Sequence, residues 1–167
     1  MIRHSVFATN IFVEDDFIDK SISSDMKQYI EQLWTIREYD NNWQTEPDLH
    51  TKPAFKKFAE KVIQKSKEQI ELLDYDVEDI AITDMWGNVL RKGEVHPPHT
   101  HSNNFLSGVY YLYSDKAAGI QFFDPRPQSD VFVPRKTKKT HNNSNFQKDF
   151  SNHFLMPKAI MDKFLSK

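Results

Sequence analysis

The stretch EVHPPHTHSNNFLSGVYYLY, residues 94–113, puts three of the chain's seven histidines within six residues and follows them at once with a β-forming run. His99 and His101 are spaced i, i+2. On an extended chain both side chains leave the same face. Two imidazoles on one face can share a metal ion, and neutral imidazole suits Fe(II), Zn, Cu or Ni. His96 precedes them across Pro97-Pro98, whose rings restrict how the backbone approaches the strand. His96 is open to three roles: third ligand, supporting group or surface residue. An exposed Pro-rich turn with solvated imidazoles accounts for the spacing as well. The strand that begins immediately downstream favours the metal.

Outward from this stretch the texture is β. All four glycines lie between 87 and 119, so turns and close backbone approaches concentrate there. DVEDIAITDMWGNVLRKGEVHPPHTH (76–101) alternates and predicts strands. FLSGVYYLY (105–113) predicts a strand, SDKAAG a turn, and IQFFDP (120–125) and SDVFVP (129–134) two further strands. Upstream the period changes. SVFATNIFV (5–13) reads as a strand. Met26, Tyr29, Ile30, Leu33 and Trp34 then form one helical face, with Ser24 or Asp25 as its expected cap. Residues 40–52 read as a loop. Pro53 opens a second helix, whose stripe of Phe55, Phe58, Ala59, Val62, Ile63, Ile70 and Leu73 reads as core.

At 167 residues the chain is expected to form one domain: a strand plus helical part over 1–75, a β core with the metal motif over 76–134, and a basic, poorly patterned segment over 135–167. The end of that segment, MPKAIMDKFLSK, predicts a short helix with Ile160, Met161, Phe164 and Leu165 inward. Helices followed by short strands imply an α+β, mainly β class. A net charge of -2 gives no global attraction to nucleic acid or an anionic membrane, and no apolar run is long enough to span a bilayer. The basic run Arg135–Lys139 lacks interleaved aromatics for base stacking and reads as a solvated loop. With no cysteine there is no thiolate ligand or nucleophile. A cytoplasmic protein is the expectation; the oligomeric state is not legible.

WGN (86–88), HPPHTHSNNFLSGVYYL (96–112) and GIQFFDPR (119–126) together resemble the 2-oxoglutarate/Fe(II) oxygenases of the prolyl-hydroxylase-like superfamily, in the subgroup with an H-x-H…SGVYYL signature. VFATNIFV (6–13) and NNWQTEPDLH (41–50) fit that group's N-terminal half. The resemblance implies a double-stranded β-helix (jelly-roll) core with two N-terminal helices packed on it. It also implies one Fe(II), 2-oxoglutarate as co-substrate, and hydroxylation as the chemistry, with the substrate (small molecule, protein side chain or nucleobase) left open. His99 stands as the first iron ligand. His101 stands where the wider superfamily carries a carboxylate. His153 is the candidate distal ligand, with His141 second. Asn88, Ser107 and Tyr111 are candidates for co-substrate contacts, and alternation predicts that only one of Tyr110 and Tyr111 points inward. The family's G-x-L-x-x-F-P-S-x-L-x-H segment and its following arginine strand have no clear counterpart here. That implies a truncated or diverged C-terminus and an incomplete iron site. Two other readings follow: a non-catalytic jelly-roll module with a degenerate iron site, and a cupin-like metal protein using His96, His99 and His101.

Overall fold

A computed structural model describes residues 2, 9–36, 43–91, 93–101, 104–114, 119–123, 144–147, 154–157 and 161–165. The first element is strand β1, Ile11–Glu14, the downstream end of the predicted 5–13 strand. Asp16 turns the chain with a φ of 52°, a left-handed conformation that a short polar side chain tolerates. Helix α1 then runs Lys20–Ile36. It starts upstream of the expected cap at Ser24 or Asp25, and the Ser23 amide donates to the Asp19 carbonyl at 3.0 Å. Phe17 and Ile18 explain the earlier start. Both are buried, so packing fixes the chain just ahead of the helix and outweighs the capping preference of Ser24.

Pro53 behaves as predicted. A 3-10 turn over Pro53–Phe55 leads into α2, Lys56–Leu72. The helix ends on paired C-terminal bonds: Asp74 N–H donates to Glu71 O at 3.0 Å and Tyr75 N–H to Ile70 O at 3.2 Å. Asp74 sits between them with a φ of 57°, the position where glycine is favoured. The two helices share one core. Phe17, Met26, Ile30, Leu49, Phe55 and Phe58 are its buried centre, with Tyr29, Leu33 and Trp34 around it. The stripes read from the sequence do form this core. Phe17 is sealed by ring contacts with Phe58 at 5.7 Å and Tyr110 at 6.0 Å.

Residues 40–52, expected to be a loop, contain more order. Strand β2, Trp43–Gln44, pairs antiparallel with β3, Asn88–Val89, and a 3-10 turn spans Leu49–Thr51. Conversely, of the strands expected across 76–101, the described residues show β3 and single bridging positions at Met85, Val95 and His99, while residues 76–84 are irregular. The predicted 105–113 strand is regular only at β4, Val109–Tyr110.

β4 belongs to a three-stranded sheet in the order β1-β7-β4, with β7 at Phe154–Pro157. A second sheet has β5, Gly119–Phe123, between β6, Ser144–Gln147, and β8, Met161–Leu165. All pairings in both sheets are antiparallel. β8 corrects the helix expected near the C-terminus. In so short a run the apolar spacing fits either period, and pairing with β5 decides it. The 129–134 strand and the basic run 135–139 lie outside the described residues.

Alternation along β4 separates two clusters. Leu106, Tyr110 and Leu112 pack on the helical core. Val109 and Tyr111, with Ile11, pack on buried Ile120 and Phe122 of β5. Both tyrosines are thus inward, into different clusters, because the strand is covered on both faces. Among the described residues no helix is long and apolar enough to cross a membrane.

Two substitutions test this packing. Met26, 1% exposed, fills the centre of the helical core. Met26→Ala is expected to lower unfolding free energy by about 2–5 kcal/mol in urea denaturation. Asp74→Gly relieves a left-handed φ and should raise stability by about 0.5–1 kcal/mol in the same assay.

Candidate metal centre

The site begins with two prolines. Neither Pro97 nor Pro98 has an amide hydrogen, and Pro98 holds Pro97 in extended geometry. The Pro97 carbonyl faces the histidine that follows: His99 Nδ1 lies 3.0 Å from it. A carbonyl only accepts, so His99 carries its proton on Nδ1 and presents Nε2 as a lone pair. A metal-binding histidine is commonly oriented in this way by a backbone carbonyl. His96 Nδ1 approaches the same oxygen at a longer 3.4 Å.

His99 Nε2 lies 3.1 Å from His101 Nε2. Two arrangements satisfy that distance. A proton on His101 Nε2 can bridge the pair as a hydrogen bond. A single ion can replace that proton: with metal–nitrogen bonds near 2.0–2.1 Å, two adjacent ligands sit about 2.9–3.4 Å apart. The pair therefore fits the spacing of two ligands on one ion without rearrangement. The i, i+2 spacing read from the sequence is what brings the nitrogens together.

Four rings stand in a row. His96 and His99 have centroids 4.6 Å apart, and His99 and His101 4.9 Å. Trp86 lies against His101 at 5.6 Å, tilted by 30°. Among the described residues no group of three histidine or acidic side chains is arranged to hold a metal. His96 therefore does not complete a three-histidine site with His99 and His101. His153 lies outside the described residues, as does His141.

The pair opens on a cavity of about 990 Å³ between the helices and the 75–114 segment. That is ample for a small substrate and co-substrate together. Asn88, Ser107 and Tyr111 line the same cavity, so the structure brings the three proposed co-substrate residues into one space with the histidines. They differ in character. Asn88 is exposed. Ser107 Oγ is buried and has no hydrogen-bond partner among the described residues. The Tyr111 hydroxyl is likewise buried, while its ring packs towards Ile120 and Phe122. Tyr110 serves the other face. Burial raises its phenol above the ordinary range, and a long 3.5 Å contact to Ser23 Oγ partly offsets this.

What sequence reasoning passed over is the support. Thr45 and Gly87 are linked twice: Thr45 N–H donates to Gly87 O, and Gly87 N–H to Thr45 Oγ1, both at 3.0 Å. Leu49 N–H donates to Met85 O at 3.0 Å, and Met85 N–H to Pro47 O at 2.9 Å. These bonds fasten the wall that carries Trp86 and Asn88 to the helical core. A signal was present in the 43–46 stretch, where buried Trp43 and Thr45 alternate with exposed Gln44 and Glu46.

Residues 84–159 match the family model described as "Putative 2OG-Fe(II) oxygenase". No curated protein matches the chain. The matched segment contains His99, His101, the three cavity residues and His153.

Gly87 gives a test of the support. A Cβ there would lie 2.7 Å from Ile30 Cδ1 and 3.5 Å from Leu49 Cδ1. Gly87→Ala can be absorbed by movement of the Ile30 methyl. Gly87→Val is expected to cost about 1–3 kcal/mol, measured by chemical denaturation.

Proposed function

We propose that the chain is an Fe(II)/2-oxoglutarate-dependent dioxygenase that hydroxylates a substrate held in the cavity beside His99 and His101. The observation that carries this is the 3.1 Å approach of the two Nε2 atoms, within a segment that matches the model of that oxygenase family. His99 and His101 would hold the iron. His153 is the candidate for a third protein nitrogen; in sequence it directly precedes Phe154, whose backbone pairs with Tyr110 of β4. Bound there, iron and 2-oxoglutarate supply the oxidising power to place one atom of O2 in a C–H bond, the co-substrate leaving as succinate and CO2.

The chain's own residues then have distinct tasks. The Pro97 carbonyl keeps the His99 proton on Nδ1 and so keeps Nε2 available. Ser107 Oγ is a buried donor that a 2-oxoglutarate carboxylate would satisfy, which supports a co-substrate role. Asn88, and the Tyr111 hydroxyl with its ring in the neighbouring cluster, offer further polar contacts along the same wall. Two antiparallel sheets that meet through Ile11, Val109, Tyr111, Ile120 and Phe122 support a jelly-roll core, with the two helices packed outside it.

The test is an anaerobic Fe(II) titration of the full chain with 2-oxoglutarate, followed by succinate assay in air. A weak visible charge-transfer band near stoichiometric iron is expected. His99→Ala should lose the band and the succinate. A folded wild-type protein giving neither would remove the oxygenase assignment and leave a binding module on the same scaffold.

A further inference from the structure

Trp86 is held more firmly than its place in an irregular segment would suggest. Met85, before it, is bonded through both its amide and its carbonyl to the 47–49 turn. Gly87, after it, is bonded through both groups to Thr45. Met85 packs on the helical core. Gly87 lies close against Ile30 and Leu49: a Cβ there would be 2.7 Å from Ile30 Cδ1 and 3.5 Å from Leu49 Cδ1. The extended backbone alternates, so the residue between these two must face the other way. Trp86 does so: its ring lies 5.6 Å from that of His101, tilted by 30°.

The two histidines are therefore oriented from different places. His99 takes its orientation from its own loop, through the Pro97 carbonyl. The indole against His101 comes from a wall anchored to α1 and the 43–49 segment, distant in sequence. An imidazole turns about two side-chain bonds, and an ion can use His101 only while its Nε2 stays near that of His99. A flat ring whose flanking residues are held by three backbone–backbone hydrogen bonds and one to Thr45 Oγ1 restricts that rotation. An aliphatic side chain of similar bulk would fill the space without offering a face.

We infer that Trp86 is a positioning residue, whose indole holds the His101 ring in the orientation that lets one ion use both Nε2 atoms. This rests on the reading of His99 and His101 as a metal pair.

The experiment is anaerobic calorimetric titration of Fe(II) alone into the wild-type chain, Trp86→Phe and Trp86→Leu, with thermal denaturation of each metal-free protein. Trp86→Phe keeps a ring and should bind within about threefold of wild type, whereas Trp86→Leu should bind about tenfold or more weakly, as when a supporting partner of a ligand is removed. Equal affinities for Trp86→Phe and Trp86→Leu would overturn the inference, and so would a loss in Trp86→Leu matched by equal loss in Trp86→Phe. If the wild type takes up no Fe(II), the metal reading falls and this inference with it. A second measurement needs no variant. In the metal-free wild type, nuclear Overhauser contacts between the Trp86 indole and the His101 ring protons are expected, and their absence would overturn the inference.

Discussion

The backbone pairing of residues 43–49 with 85–89 is the join on which the rest depends. It connects a helical core, built from two amphipathic helices, to the wall that faces the histidines. Four of its hydrogen bonds lie between 2.9 and 3.0 Å, and a Cβ added at Gly87, at its centre, would lie 2.7 Å from Ile30 Cδ1. Buried backbone groups need partners, so this short ladder is a requirement of close packing. It also dictates direction. With Met85 packed on the core, alternation turns Trp86 towards His101.

β4 applies the same rule of alternation on a second front. Tyr110 closes the helical core against Phe17 and Phe58, with the Phe58 ring at 5.0 Å. Val109 and Tyr111 turn to β5 and its buried Ile120 and Phe122. One strand of two regular residues therefore ties the helices, the β1-β7-β4 sheet and the β6-β5-β8 sheet into adjoining layers. Each of its faces buries aromatic surface, the main source of stability in such a join. The histidines enter just upstream of this strand, and their cavity is bounded by elements that these two joins hold fixed.

The legible parts of the sequence were those governed by local rules. The helical stripes, Pro53 at the start of the second helix and the shared face of His99 and His101 all follow from period and proline geometry. Other parts needed information that lies elsewhere in the chain. Lys163 and its neighbours form a strand because β5 supplies a partner, which the five residues MDKFL cannot announce. The reverse holds for residues 76–84, whose alternation predicts a strand that no partner completes. Tyr110 of β4 and Tyr111 just after it are both inward because two layers cover this segment, where single-sided alternation allows one. The site divides in the same way. Spacing pointed to His99 and His101, but the Pro97 carbonyl that sets the tautomer and the Trp86 ring against His101 become visible only in three dimensions.

The central claim is that one ion is held jointly by the Nε2 atoms of His99 and His101. Anomalous diffraction at the iron edge, from crystals loaded anaerobically with Fe(II), tests it most directly. The account predicts one strong peak within coordinating distance of both atoms. A peak bound elsewhere, or intact crystals with none while the two rings still share a proton, would contradict it.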